Sequence, residues 1–144
     1  MYQSDFALGE LKGRREALCE TIGDAVAVVV GSDAPKGMIP FRQVNDFYYL
    51  CGVEVPHAYL VVDGRTRTTT LFLPRETLID RDHDREVVCA DRPEWSAEVT
   101  GGDAVRGWED LQPALAGAAV VYTHFQDGEG VCAVPESLAG ADRW

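Results

Sequence analysis

Cations are scarce in this chain, and so are several patterns on which catalysis usually rests. Lys plus Arg number 13 against 24 Asp plus Glu, a formal charge of −11. A surface that negative repels phosphate backbones and anionic lipid headgroups. Neither nucleic acid nor a membrane is therefore an expected partner. No apolar run approaches the ~20 residues of a spanning helix, and the start, "MYQSDFALGELKGRR", lacks the basic-then-apolar order of a secretory leader. Cys19, Cys51, Cys89 and Cys132 form no C-x-x-C pair, so reduced thiols in a cytoplasmic protein are expected. Cys51, inside an apolar run, is expected to fill core, because a reactive thiolate needs an electropositive, partly open site.

The catalytic inventory is equally thin. No G-x-S-x-G elbow occurs, and "GSDAPKGM" reverses the Gly-Lys order of a phosphate loop and lacks its following Ser or Thr. Carboxylates are plentiful, but loose pairs in an acidic chain carry no information on separation or pKa, so nothing supports a glycosidase. His83 lies in "DRDHD" with Asp80, Asp82 and Asp84, donors that could in principle hold a divalent ion. Arg81 and Arg85 neutralise those carboxylates, however, and a solvated charged loop gives the same composition. His57 follows Pro56 in a turn and His124 ends a strand, neither with a partner at a telling spacing. No catalytic residue and no metal site is expected within these residues.

What is present reads as one folded domain over residues 1–144. The apolar fraction is 46% and the charged fraction 26%, ordinary for a soluble globular chain, and the length allows a sizeable core. From Asp5 to Ile22 the apolar positions Phe6, Leu8, Leu11, Ala17, Leu18 and Ile22 recur at near-helical spacing, with Ser4 or Asp5 as the expected cap and Gly23 as the stop. "AVAVVV" (Ala25 to Val30) has no polar alternation, which predicts a central strand covered on both faces. After the loop "GSDAPKGMIP", the runs Ala58 to Asp63 and Arg67 to Leu73 flank an Asp-Gly pair and should form an antiparallel hairpin with a tight turn. "RETLIDRDHDREVVCADRP" suits a charged connection leading to a short strand near Glu86 to Ala90. Pro93 and Gly101 bracket one short helix, Gly117 stops a second in "GWEDLQPALAG", and "AAVVYTHF" is a last strand. Together these elements predict an α/β fold, a mixed β-sheet flanked by helices.

One stretch concentrates polar groups in front of aromatic ones: "FRQVNDFYYLCG", Phe41 to Gly52. Read as a strand, Phe47 to Cys51 is apolar on both faces and therefore internal. In that reading Arg42 and Asp46 pair across a turn while Gln43 and Asn45 satisfy backbone groups at the strand end.

Extended to "FRQVNDFYYLCGVEVPHAYLVVDG", the stretch resembles the signature of the amino-terminal domain of Xaa-Pro aminopeptidases, in the creatinase and prolidase superfamily. Upstream, "LKGRREALCETIGDAVAVVVGS" is similar to that domain's first helix, with its paired arginines, and first strand. Downstream, "TTTLFLPRE" and "GGDAVRGWEDLQPAL" are similar to its later strand and helix, so the resemblance runs from about Leu11 to Leu115. It implies an RNase H-like topology and a module without chemistry of its own. In that family a carboxy-terminal "pita-bread" domain, absent from this chain, holds two divalent ions, commonly manganese, that activate water. The resemblance implies that some of Phe41, Arg42, Gln43, Asn45, Asp46 and Tyr48 face the substrate cleft or a subunit interface, alongside any structural role. The partners implied are the catalytic domain, further copies of the chain and the peptide substrate. Where some relatives carry a Trp-x-Gly element that reaches a neighbouring subunit, this chain reads "REVVCADRP", with Val88 near the tryptophan position and Trp95 too late to replace it. Two other readings share the architecture: a creatinase-type amidinohydrolase, and a pseudo-peptidase module whose acidic surface suits basic partners. The aromatic form of "DFYYLCG" favours the peptidases.

Overall fold

The computed structural model describes residues 2–34, 40–79 and 86–123. The "DRDHD" cluster around His83, residues 35–39 of the "GSDAPKGMIP" loop, His124 and Cys132 lie outside the described residues. The chain runs α1 (Leu8–Ile22), β1 (Val26–Val30), α2 (Asn45–Cys51), β2 (Tyr59–Asp63), β3 (Thr68–Leu73), α3 (Pro93–Thr100), β4 (Ala104–Gly107), α4 (Leu111–Leu115) and β5 (Val121–Tyr122), with single 3₁₀ turns at Glu76–Leu78 and Trp108–Asp110. The five strands form one mixed sheet in the order β4-β3-β2-β1-β5. β1, β2 and β3 pair antiparallel in sequence, β4 joins β3 in parallel and β5 joins β1 in parallel. This is the expected α/β fold, with an antiparallel meander and a parallel strand beside its first member.

Each face of the sheet carries its own apolar layer. Ala27, Val29, Leu60, Val62, Leu71 and Leu73 face α1, α2 and α3, where Phe47, Leu50 and Val88 join them. Val26, Val28, Val30, Val61 and Phe72 face Leu111 of α4. Every residue of β1 is buried, as expected of a β-branched run without polar alternation.

Four local expectations give way to the structure. First, Phe47 to Cys51 is helical. Phe47, Leu50 and Cys51 are buried while Tyr49 is 57% exposed, the i, i+3, i+4 pattern of a helix and not the alternation of a strand. Gly52 closes α2 in the left-handed region (φ 65°), with its N–H donating to Tyr48 O, a role glycine fills without steric cost. A five-residue apolar run fits both periods about equally, which is why aromatic content misleads here. Second, α1 starts at Leu8 after Ala7, with no side-chain cap from Ser4 or Asp5. Gln3 organises that entry instead: its Oε1 accepts the Phe6 N–H at 2.7 Å, and its own N–H donates to Gly52 O at 2.8 Å.

Third, the hairpin closes through the four residues 64–67, since Asp63 pairs with Thr68. Gly64 is required by proximity, because a Cβ there would collide with the Gly23 carbonyl, while Arg67 takes the left-handed backbone (φ 54°). Bonds from Arg65 to Asp63 hold that carboxyl below its ordinary range. Fourth, Glu86 to Ala90 pairs with no described strand. Val87, Val88 and Cys89 are buried, and their backbone finds other partners: the Ser96 hydroxyl accepts from Cys89 N–H and donates to Cys89 O, both at 3.1 Å, and Ala90 N–H donates to Pro74 O.

Helix α1 buries Leu11, Arg15 and Cys19, one row at four-residue spacing. Arg15 is only 3% exposed. Its guanidinium donates to Leu50 O in the last turn of α2 at 3.0 Å and to Gly101 O at the end of α3. A helix C-terminus carries roughly half a negative charge, so two of them together offset one buried cation. Burial still pulls the Arg15 pKa below its usual value. Replacing Arg15 by Leu orphans two helix-end carbonyls, each costing ~1–3 kcal/mol. Urea unfolding of Arg15→Leu should show a loss of about 2–5 kcal/mol, against less than about 0.5 kcal/mol for Lys12→Leu on the exposed side of α1. Equal, small losses would show that the tether carries no weight.

Candidate functional site

β1, β3, β4 and β5 run in one direction and β2 in the other. The carboxyl ends of the parallel strands, where α/β folds place ligand-facing loops, thus share an edge of the sheet with the start of β2. Three chain segments meet there: Gly31 to Ala34 after β1, Phe41 to Val44 before α2, and Val55 to Ala58 before β2.

Gln43 holds them together. It is buried, and its Oε1 accepts from Ser32 N–H at 2.6 Å and from Val44 N–H at 2.9 Å, while its Nε2 donates to Val55 O at 3.1 Å. Gly31 packs against this amide so closely that a Cβ would press on Ala58 O and on both Gln43 amide atoms. Backbone bonds Gly31 N–H to Ala58 O and His57 N–H to Ser32 O complete the join. The anticipated satisfaction of backbone groups by Gln43 is therefore present, although a helix and not a strand follows.

The other candidates do not converge on one point. Phe41 is half-buried and Arg42 exposed on the segment that Gln43 anchors. Asn45 and Asp46 are exposed in the first turn of α2, and the anticipated Arg42–Asp46 pair is not among the described ion pairs. Asp46 instead lines a groove of about 450 Å³ between α1, α2 and the margin of β1 and β5, together with Arg14, Leu18, Tyr49 and Tyr122. Tyr48 is half-buried, and burial first, then Glu54 and Asp5, push its phenol pKa up. Val88, which the resemblance sets near a tryptophan position, is completely buried, and Trp95 packs against the core edge-on to Tyr2. Neither projects outward.

Two features escaped the reading of spacing alone. The paired arginines divide their work: Arg14 stacks on Tyr49 at 4.3 Å and Phe6 at 5.0 Å and donates to Tyr49 O, while Arg15 is the buried tether. The alignment of Arg15 with Leu11 and Cys19 was the available signal. His57 does have a partner, Asp33, at 2.9 Å. The two lie 24 residues apart, and only the pairing of β1 with β2 brings them together. Among the described residues no group of three or more His, Cys, Asp or Glu converges, and no helix is long and apolar enough to cross a membrane.

Residues 11–121 match the family described as aminopeptidase P, N-terminal domain. The chain belongs to that family. A probable Xaa-Pro aminopeptidase of Paracoccidioides brasiliensis is 30% identical over 106 residues, covering 72% of this chain and 20% of the relative. One of Emericella nidulans is 38% identical over 66 residues, covering 46% and 13%. Zinc-substituted E. coli aminopeptidase P in complex with product superposes with a TM-score of 0.69 at 22% identity, over 96% of this chain and 33% of that one. The same enzyme with the inhibitor Pro-Leu gives 0.65 over 83% and 29%. This aminopeptidase P domain thus spans a fifth or less of these two relatives and about a third of the E. coli chain.

Gln43→Leu leaves two N–H groups and a carbonyl without their amide partner and should cost about 2–4 kcal/mol in urea unfolding. Exposed Asp46→Asn should cost less than about 0.5 kcal/mol; the reverse ranking would contradict the structural assignment of Gln43. The Cys51 thiol is wholly buried, and burial pushes its pKa up to about 12, above its ordinary value. At pH 8 iodoacetamide should label Cys51 only as fast as the chain unfolds, read by peptide mass mapping. Rapid native-state labelling would refute that environment.

Proposed function

We propose that this domain is the non-catalytic amino-terminal module of a Xaa-Pro aminopeptidase, in which it shapes the substrate cleft and contributes subunit contacts. The match over residues 11–121 carries this reading, because the relatives bearing the same region are probable Xaa-Pro aminopeptidases. The chemistry belongs to a carboxy-terminal catalytic domain that holds a dinuclear divalent metal centre, manganese by family resemblance, and no step of it is assigned to the residues described above. Here the fold contributes a fixed edge. The strand-end rim, with Phe41 and Arg42 on a segment bolted down by Gln43, and the groove beside Asp46 and Tyr49 are the two surfaces offered to the catalytic domain, the peptide or another copy of the chain. A cytoplasmic setting fits the free, buried thiols of Cys19, Cys51 and Cys89.

The purified 144-residue chain should leave a Xaa-Pro peptide intact with or without added manganese, followed by release of the amino-terminal residue. Metal-dependent turnover would overturn the non-catalytic assignment.

A further inference from the structure

On the rim, His57 occupies the left-handed backbone region (φ 57°), which is costly for a residue with a Cβ and tends to persist where the surroundings enforce it. Its ring is held on both nitrogens. Nδ1 lies 2.9 Å from Asp33 Oδ1, and Nε2 lies 3.4 Å from the Ala34 amide nitrogen. Facing an obligate N–H donor, Nε2 must be the unprotonated acceptor, and Nδ1 then carries the hydrogen donated to the carboxylate. The backbone carbonyl of the same residue accepts the Trp108 indole N–H at 2.8 Å, and the two rings meet edge-on at 6.1 Å. His57 thus joins the turn after β1, through its ring, to the turn after β4, through its backbone carbonyl.

We propose that His57 is a protonation-controlled latch on the rim, closed when Nε2 accepts the Ala34 N–H and opened when a proton occupies Nε2. Protonation turns that acceptor into a donor aimed at another donor, so the Ala34 bond is lost, while the hydrogen bond to Asp33 becomes a charged pair. Asp33 is prepared for such a change: its Oδ2 is buried and accepts no hydrogen bond, leaving acceptor capacity beside the ring. Among the described residues, the groups that meet the imidazole are Asp33 and Ala34 from the turn after β1 and the uncharged Trp108 indole from the turn after β4. Glu109, next to Trp108, is engaged by Arg75, and Arg42 is exposed on the segment that Gln43 ties to Ser32. The latch rests on these contacts alone and stands whether or not the peptidase reading does.

The test is a titration of the whole chain by ¹H–¹⁵N NMR between about pH 5 and 8, the range in which histidine changes charge. The Ala34 amide and the Trp108 indole N–H should shift with a midpoint shared with the His57 ring. In His57→Asn, a residue that tolerates the left-handed backbone, both responses should vanish while the Val61 amide stays where it is. A flat Ala34 amide in the wild-type chain while His57 titrates would overturn the latch even if the variant failed to fold. So would an unchanged Ala34 response in a folded His57→Asn.

Discussion

A single buried cation sets the geometry on the helical side of this sheet. Arg15 reaches from α1 to the carbonyl ends of α2 and α3, two short helices of seven and eight residues that have little stability in isolation. The guanidinium supplies the hydrogen bonds their last turns lack and a charge that suits both dipoles. The helices in turn solve the problem Arg15 creates, since a cation removed from water must be compensated. Neither side of the arrangement is favourable alone, so the three helices are fixed relative to one another and to the sheet they cover.

From that fixed helix the rim follows. α2 is placed by Arg15 at its end and by Gln43 just before its start, and Gln43 also grips the turns flanking the β1–β2 pair. The polar residues ahead of the aromatic run therefore have two separate roles. Gln43 is internal mortar, while Arg42, Asn45 and Asp46 remain on the surface, beside the residue that ties their segment to the strand ends. In the proposed role this property matters more than reactive side chains do: groups presented from a fixed support arrive at a partner with part of their ordering cost already met.

Much of this was legible in the residues. Continuous β-branched Val26 to Val30 announced a strand buried on both faces, Pro93 and Gly101 bracketed α3, and the family pattern from Leu11 onward gave the fold and its kinship. The failures have physical causes. Phe47 to Cys51 is too short for period to discriminate helix from strand, and what decides the matter is the left-handed cap at Gly52. Glu86 to Ala90 is apolar enough for a strand, yet the Ser96 hydroxyl replaces a neighbouring strand as its partner. The Asp33–His57 contact depends on the register that sets Val30 opposite Tyr59, a long-range fact that spacing does not contain. Resemblance singled out the polar block as a whole, but only the packed structure separates its buried amide from its exposed charges.

Helix α2 is welded in place by side chains and does not merely rest on the sheet. Native-state hydrogen exchange tests this most directly. If Arg15 and Gln43 clamp both ends of the helix, the amides of Tyr48, Gly52 and Ser32 should exchange only through the same global opening that frees Val28 in β1, with equal denaturant dependence. Exchange of the α2 amides through a separate, low-energy local opening, with β1 still protected, would contradict it.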